Sequence, residues 1–297
     1  MAAAGMIAVR VCDNRVFNRE GWVDKRIHRF YIKVMAKKLH EHDVVSGAAE
    51  NKASPLVNHP LTVWLKTRGW QWFPHQLETL QAAQSGKDVL LCAPTGAGKT
   101  LSGFLPALVD LTSGKERGKG LHTLYISPLK ALTVDVHRNV GRPIEEMNLP
   151  ITYETRTGDT PSSKRQRQKT TPPDILMTTP ESLALLLSYD NAADYFKNLK
   201  YIIIDELHAL MGSKRGDLLS LGLTRLNGLA PDACRIGLSA TIADPQLGLE
   251  WLSSRPGVIV QAPTRVQPKI NILQSEGPLP WAGHMALYAM PQIYAEL

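Results

Sequence analysis

The stretch Asp88–Leu101, with the sequence DVLLCAPTGAGKTL, constrains the fold more than any other part of this chain. Its first residues form an apolar run typical of a buried strand, which breaks into a turn before a helix opens with Lys99-Thr100. Gly96 and Gly98 leave room for backbone N–H groups to close around an anion, because neither residue has a Cβ. The positive end of the new helix adds to that attraction. This order of strand, glycine turn and helix predicts a phosphate-binding loop.

The side chains of this loop suggest how a nucleotide would be held. Lys99 would reach the β- and γ-phosphates, and the Thr100 hydroxyl would ligate Mg²⁺. The residues predicted to line the phosphates are Pro94, Thr95, Gly96, Ala97, Gly98, Lys99 and Thr100. The loop departs from the common pattern at Ala93, which stands where the first glycine is usual. An ordinary strand–turn–helix corner without a ligand is the alternative interpretation.

From residue 56 onward, short apolar runs alternate with helical segments, and this predicts a mostly parallel α/β sheet with helices on both faces. The predicted strands are 89–92, 123–127, 151–154, 175–178, 201–205, 236–239 and 258–260. The predicted helices are 75–84, 99–111, 131–147, 162–169, 181–187, 218–229 and 245–253. Ligands of such sheets bind at the carboxyl ends of the strands, where these runs become Thr, Ser, Asp or Gly.

The two ends of the chain differ from this pattern. Residues 1–55 are rich in Lys and Arg and finish in a linker-like run, so we expect a basic, poorly ordered N-terminal extension. It could be a nucleic-acid-binding arm, a mobile tail or translated sequence upstream of the true start. Residues 263–297 are predicted to be a proline-rich connector followed by a helical segment. The net charge of +7 permits a polyanionic partner without requiring one.

Several classes of protein are disfavoured by the sequence. No apolar run approaches the length of a membrane span, and the first residues lack the pattern of a secretory signal. The 3 cysteines, Cys12, Cys92 and Cys234, are widely scattered and do not have metal-ligand spacing. These features favour reduced thiols in a cytoplasmic protein.

A second motif follows the apolar run that starts at Tyr201 and ends in two adjacent carboxylates. Successive side chains at a strand end point to opposite sides, so Asp205 and Glu206 can take different roles. Asp205 would hold Mg²⁺, directly or through water, and Glu206 would orient and deprotonate the attacking water. His208 could couple the nucleotide site to neighbouring loops. The alternative interpretations are a solvated strand end and a histidine that makes only local hydrogen bonds.

These segments occur in a familiar order. The segments APTGAGKT (93–100), DELH (205–208) and SAT (239–241) resemble motifs I, II and III of superfamily 2 helicases of the DExH branch. Five more segments sharpen the match: YISPLKAL (125–132), ETRTGDT (154–160), PDILMTTPES (173–182), SKRGD (213–217) and GLSATIADP (237–245). Together they resemble the Lhr-like helicases, most closely the bacterial ligase-associated DEXH-box group. The resemblance covers about residues 56–297.

The resemblance implies a RecA-like P-loop NTPase domain over residues 56–262, with ATP and Mg²⁺ as cofactors. Gln76 matches the glutamine that hydrogen-bonds adenine, and Ser239 and Thr241, with His208, match the residues that couple nucleotide state to strand grip. The positions implied for contact with the nucleic-acid backbone are Pro128, Lys130, Ala131, Thr157, Gly158, Thr179, Pro180 and Lys214. Other basic residues that could add a sequence-blind attraction are Arg138, Arg142, Arg156, Lys164, Arg165 and Arg167.

Helicases of this superfamily have two RecA-like domains, and ATP lies between them. The second domain carries an arginine finger, but this sequence has no Gln-x-x-Gly-Arg-x-x-Arg pattern. The resemblance therefore implies that the second domain is absent from this chain and that only its start falls within 263–297. An arginine finger contributes on the order of 10³–10⁵ in rate, so we expect the chain to bind ATP but to hydrolyse it slowly.

The function predicted from the sequence is ATP binding and hydrolysis for a DNA helicase or translocase. The ligase-associated resemblance implies DNA repair, with a DNA ligase and a nuclease as partners. An RNA-directed DExH helicase remains an alternative, because backbone contacts read neither base nor, necessarily, sugar. A non-catalytic, nucleotide-dependent nucleic-acid-binding module is a second alternative. A small-molecule kinase is disfavoured, because it would leave the segments at 125–132 and 239–241 unexplained.

Overall fold

The computed structural model describes residues 56, 58–115, 117–128, 136–263 and 294. Its sheet has seven parallel strands in the order β3-β4-β2-β5-β6-β1-β7. The strands are β1 (Asp88–Cys92), β2 (Thr123–Ile126), β3 (Tyr153–Arg156), β4 (Ile175–Thr178), β5 (Tyr201–Ile204), β6 (Cys234–Ser239) and β7 (Gly257–Gln261). The predicted α/β class with a parallel, RecA-like sheet is confirmed.

Helices cover both faces of the sheet. They are α1 (Pro60–Thr67), α2 (Pro74–Gln84), α3 (Lys99–Thr112), α4 (Arg142–Glu146), α5 (Ser162–Thr170), α6 (Pro180–Leu187), α7 (Ala192–Phe196), α8 (Leu207–Leu210), α9 (Lys214–Leu229) and α10 (Pro245–Leu252). A π-helical segment, His137–Gly141, leads directly into α4. None of the helices in the part of the chain that the structure describes is long and apolar enough to cross a membrane.

The strands are buried on both sides, as their continuous apolar runs require. Val89 and Leu91 of β1 belong to one hydrophobic core, and Leu90 between them belongs to the other. Such alternation follows from the two-residue repeat of a strand, which sends successive side chains to opposite faces. The sheet therefore lies between two hydrophobic cores, one on each face.

Several element boundaries differ from those predicted, most of them by one or two residues, and two of the differences have a local cause. Strand β3 starts at Tyr153 instead of 151, because Asp174 holds Thr152 just before the ladder by accepting its N–H at 2.8 Å. Helix α9 starts at Lys214 instead of 218, because the Ser213 hydroxyl caps it by accepting the Gly216 N–H at 3.1 Å. In both cases a local side-chain contact sets the boundary.

Three short helices were not predicted: α1, α7 and α8. The predictions for residues 1–55 and for the segment from 264 onward lie outside the described residues, apart from position 294. The first part of the predicted helix 131–147 also lies outside them.

The carboxyl edge of the sheet divides into two halves. Strands β5, β6 and β1 are neighbours and lead into the acidic pair, the Ser239 segment and the glycine loop. Strands β3, β4 and β2 form the other half and lead into the loops predicted to contact nucleic acid. The topology therefore places all the predicted site segments along one edge.

Candidate active site

The glycine loop joins β1 to α3 and is fixed at its entrance by the neighbouring strand. The Ala93 N–H donates to the Ser239 carbonyl oxygen at 3.0 Å, and the Ala97 N–H donates to the Pro94 oxygen at 3.2 Å. Gly96 and Gly98 have φ of 81° and 74°, a left-handed conformation that residues with a Cβ rarely adopt. Both glycines are thus needed for the path of the loop.

The first turn of α2 packs under this loop. The His75 Nε2 atom lies 2.8 Å from the Ala97 carbonyl oxygen, an acceptor, so the ring nitrogen donates there. Gln76 is buried, and its Oε1 accepts the Phe73 N–H at 2.9 Å. An amide oxygen can accept two hydrogen bonds and the amide nitrogen can donate two, so Gln76 could still both donate to and accept from a purine. A hydrogen bond from Gln76 to adenine stays a prediction.

Gly98 and Gly96 provide a matched test of this packing. A Cβ on Gly98 would lie 2.8 Å from Gln76 Nε2, whereas a Cβ on Gly96 would meet nothing within 4 Å. Both Gly→Ala changes impose the left-handed backbone on alanine, at a cost of about 1–2 kcal/mol. We expect Gly98→Ala to weaken binding of a fluorescent ATP analogue at least about tenfold more than Gly96→Ala, because it also displaces Gln76. Equal losses in the two variants would contradict this role of Gln76.

The acidic pair follows β5 directly. Asp205 is buried; its Oδ1 accepts the Glu206 N–H at 2.9 Å, and its Oδ2 accepts a hydrogen bond from the hydroxyl of Tyr125 on β2. Glu206 has φ of 49°, one of two described non-glycine residues with positive φ. The side chain of Glu206 is 28% exposed, whereas Asp205 is buried. The two carboxylates therefore have different surroundings, and their separate roles stay a prediction.

Lys99 and the acidic pair are close enough to influence one another's pKa. Burial lowers the pKa of Lys99, while the charges of Glu206 and Asp205 act in the opposite direction. Burial raises the pKa of Glu206, the charge of Asp205 raises it further, and Lys99 and His208 oppose the rise. A buried ammonium beside two carboxylates suits a ligand that brings both a polyanion and a cation.

The oxygen atoms near this cluster fit Mg²⁺ better than a softer metal. Asp205 supplies a carboxylate and Thr100, in the first turn of α3, supplies a hydroxyl, both hard oxygen ligands. Across residues 58–115, 117–128 and 136–263, no three His, Cys, Asp or Glu side chains group closely enough to hold a metal. A magnesium ion here would need phosphate oxygens and water to complete its ligands, as is common for nucleotide sites.

The three residues predicted to couple the site to its surroundings lie next to one another. His208 Nδ1 is 3.1 Å from Ser239 Oγ and 3.4 Å from Glu206 Oε2. Ser239 Oγ in turn donates to the Thr241 carbonyl oxygen at 3.2 Å. Thr241 thus enters this chain of contacts through its backbone. The imidazole ring of His208 therefore lies beside both the Glu206 carboxylate and the last residue of β6.

The described residues predicted to contact nucleic acid lie at the carboxyl edge of the sheet. Pro128 follows β2, and Thr157-Gly158 follows β3. Thr179 caps α6 by accepting the Ser182 N–H at 3.4 Å, and Pro180 is the first residue of that helix. Lys214 is the first residue of α9. Lys130 and Ala131 lie outside the described residues.

Arg156 corrects one interpretation from the sequence. It was a candidate for attraction to nucleic acid, but its residue is only 2% exposed. Its Nη1 donates to the Arg165 carbonyl at 2.9 Å and its Nη2 donates to the Tyr189 hydroxyl at 2.7 Å. The guanidinium joins β3 to α5 inside the protein, so Arg156 is not one of the exposed basic residues that could attract nucleic acid.

Three residues of the site were missed by sequence reasoning: His75, Tyr125 and Arg215. Tyr125 carried a usable signal, since a phenol in a fully buried strand needs a hydrogen-bond partner. His75 directly precedes the predicted Gln76, but its contact to Ala97 depends on how α2 meets the loop. Arg215 has no local signal, because its partners lie far away in the sequence.

Comparisons with known proteins agree with this geometry. The model of the DEAD/DEAH box helicase family matches residues 73–247. The ATP-dependent helicase Lhr-Core protein 2 of Thermococcus barophilus is 42% identical over 200 residues, which are 63% of this chain and 23% of that protein. The Lhr helicase/uracil glycosylase of Escherichia coli is 41% identical over 219 residues, 67% of this chain and 14% of that protein. The chain thus spans about a quarter or less of the length of these curated relatives.

Two solved structures are similar to the same region. The helicase Lhr of Mycobacterium smegmatis bound to single-stranded DNA and AMP-PNP has a TM-score of 0.62 at 40% identity, over 71% of this chain and 28% of that one. The DUF1998 helicase MrfA bound to DNA has a TM-score of 0.61 at 30% identity, over 70% of this chain and 30% of that one.

Proposed function

Because the chain belongs to the DEAD/DEAH box helicase family, we propose that residues 56–262 form the ATP-binding domain of an ATP-dependent helicase or translocase of the Lhr type. The predicted resemblance to Lhr-like helicases is confirmed by the relatives. One observation carries the assignment: the loop lysine, Lys99, and the acidic pair after β5 influence each other's charge in one partly buried site. That arrangement supports binding and hydrolysis of a nucleoside triphosphate.

Each residue of the site has a distinct part in the proposed reaction. Thr100 and Asp205 would hold Mg²⁺, which neutralises phosphate charge when bound. Lys99 stabilises the negative charge on the transferred phosphoryl group. Glu206 orients a water molecule and accepts its proton on the carboxylate. The Tyr125 hydroxyl fixes the orientation of the Asp205 carboxylate from the neighbouring strand.

The proposed partner of the other half of the sheet edge is a nucleic-acid strand, with DNA favoured. Support comes from two structural neighbours, which were solved with single-stranded DNA and with DNA. The proposed contacts are Pro128, Thr157, Gly158, Thr179, Pro180 and Lys214, with Lys130 and Ala131 of the same segment as Pro128. Gly158 and Lys214 are exposed and Thr157 is partly exposed, whereas Pro128, Thr179 and Pro180 are buried, so the first three are the described positions best placed to meet phosphates and sugars without reading bases.

The proposed setting is cytoplasmic DNA repair, together with a DNA ligase and a nuclease, and it rests on the family resemblance alone. In this setting, changes in nucleotide state would pass through His208 and Ser239 and alter the grip on the strand. We also propose that this chain hydrolyses ATP slowly by itself, since the arginine finger of related helicases comes from a second domain.

A strand-binding experiment with Lys99→Ala tests this proposal. We expect the wild-type chain to bind ATP and to change its affinity for a labelled single-stranded DNA several-fold when AMP-PNP is added. Lys99→Ala should lose ATP-analogue affinity by at least about tenfold, because a charge-assisted contact to phosphate contributes about 1.5–3 kcal/mol. The nucleotide effect on the strand should disappear with it. The matched control is Lys115→Ala, which removes an exposed lysine beyond α3.

The same assay separates the alternatives when it includes an RNA of identical sequence. Binding of RNA but not DNA would replace the DNA assignment with an RNA-directed helicase. Strand affinity that responds to AMP-PNP, with no phosphate release even when a second RecA-like domain is supplied, would favour a non-catalytic binding module. An affinity for the strand that does not change when AMP-PNP is added would contradict the proposed coupling between nucleotide binding and strand binding.

A further inference from the structure

Arg215, in the first turn of α9, joins three segments that are far apart in the sequence. Its Nε and Nη2 atoms donate to the two carboxylate oxygens of Glu181, with 3.0 Å between Nη2 and Oε2. Its Nη1 atom donates to the Pro128 carbonyl oxygen. One guanidinium thus connects the loop after β2, the first turn of α6 and the first turn of α9.

The ion pair between Arg215 and Glu181 has well-defined geometry, but it is too exposed to contribute much to the free energy of unfolding. A guanidinium that meets both oxygens of a carboxylate fixes orientation as well as distance. Hydrogen bonds from Arg215 contribute most to lowering the pKa of Glu181 to about 2, and the reciprocal bond raises the pKa of Arg215. The two side chains are 40% and 51% exposed, and exposed ion pairs add little to stability. The main effect of this pair is therefore to fix the relative positions of the segments it joins, and its contribution to stability is small.

The segments held by the pair are those that carry the proposed strand contacts. The carbonyl of Pro128 accepts directly from Arg215, and Lys214 precedes Arg215 in the chain. Thr179 is the N-cap of α6, two residues before Glu181. Segments that carry three of the described contact positions are therefore linked through one salt bridge.

We propose that Arg215 and Glu181 are positioning residues that hold the segments of Pro128, Thr179 and Lys214 at the spacing required by a nucleic-acid backbone. This inference rests on the proposed function. Three of the five N–H groups of Arg215 are already used within the protein, so in this proposal the guanidinium acts through the segments it holds. A conformationally fixed surface binds a strand more tightly, because less ordering remains to be done on binding.

A charge-neutral double variant tests positioning separately from electrostatics. Arg215→Ala with Glu181→Ala removes one positive and one negative charge, so the net charge stays the same. We expect the dissociation constant for a fluorescent single-stranded DNA to rise at least about fivefold, measured by anisotropy. The logarithm of the association constant falls as the logarithm of the salt concentration rises, and the steepness of this fall should stay unchanged. Loss of a phosphate contact would instead make the fall shallower by about 0.7.

Two matched variants complete the experiment. Asp194→Ala with Lys197→Ala removes a similar exposed pair, with 3.5 Å between the charged atoms, on α7. It should bind the strand like the wild type. Lys214→Ala, which removes a proposed phosphate contact, should reduce the salt slope by about 0.7. Thermal melting and ATP-analogue binding of every variant check that it is folded.

The possible outcomes distinguish this inference from the proposed function. Unchanged affinity of the folded Arg215/Glu181 double variant would overturn the positioning role. A weaker affinity with a reduced salt slope would also overturn it, because it would make Arg215 a phosphate contact. If the wild-type chain itself bound no strand, the proposed function would fail, and this inference with it.

Discussion

Glu206→Gln is expected to keep ATP bound while turnover falls by about 10²–10⁴-fold. The glutamine amide has the shape of the carboxylate but cannot accept a proton from water, so the substitution slows the chemical step of ATP hydrolysis. Nucleotide affinity should stay close to that of the wild type, because the phosphates are held by the loop around Lys99. The measurement is phosphate release under single-turnover conditions, which can follow a slow reaction, together with equilibrium binding of labelled ATP.

The pH dependence provides an independent check on the same residue. The pKa of Glu206 is raised from its ordinary value of 4.5, first by burial and then by Asp205. The carboxylate must be ionised to accept a proton, so wild-type turnover should rise with pH along a limb that lies above pH 4.5. An acid limb at or below that value would contradict the buried, coupled environment of this carboxylate.

Glu206→Gln should lose turnover but should not lose stability. A folded-state pKa raised above the unfolded value means that ionisation of Glu206 costs stability as the pH rises through the folded value. Glutamine does not ionise, so Glu206→Gln should melt no lower than the wild type at pH 7. Glu78→Gln, at an exposed position on α2, is the matched control and should change neither turnover nor nucleotide binding. Unchanged turnover of Glu206→Gln would remove this residue from its proposed role.

Much of the nucleotide half of the site could be predicted because its signals are local. The glycine turn, the Lys99 helix start and the acidic pair each follow directly from a few neighbouring residues. Parallel strands then bring such segments to one edge, whatever the details of the packing. This is why the sequence could predict that the segments of Lys99 and Asp205 leave the same edge of the sheet.

The residues that were missed or misread depend on contacts between distant segments. Arg156 is one more basic residue in the sequence, and only the meeting of β3 with α5 shows that its guanidinium is buried. Arg215 and Pro128 are 87 positions apart, and Tyr125 and Asp205 are 80 apart. Hydrophobic periodicity carries no information on such pairs, because it reports which face of an element is apolar and not which side chain lies opposite.

The opposite end of β1 provides the second large expected effect, which concerns stability. Asp88 is fully buried and accepts the Arg235 N–H at 2.7 Å, the Ser253 hydroxyl, and the Nη2 and Nε of Arg255 at 2.7 and 3.2 Å. It therefore ties the start of β1 to β6 and to the segment before β7. Asp88→Ala leaves all these donors without their acceptor.

We expect Asp88→Ala to lower the free energy of unfolding by about 2–4 kcal/mol, since it leaves the Arg235 N–H and the Ser253 hydroxyl without their acceptor and removes the partner of Arg255, whose side chain is 38% exposed. Asp88→Asn keeps the size and one acceptor oxygen, so its loss should be smaller, about 1.5–3 kcal/mol. Urea unfolding measures both, and Asp194→Ala, at an exposed aspartate, should stay within about 0.5 kcal/mol of the wild type. The phosphate loop leaves the other end of the same strand, so folded Asp88→Asn should still bind ATP normally. A loss of unfolding free energy below about 1 kcal/mol for Asp88→Ala would contradict the stabilising role of Asp88. Weak ATP binding by the folded Asp88→Asn variant would contradict the view that the start of β1 supports the fold while its end carries the phosphate loop.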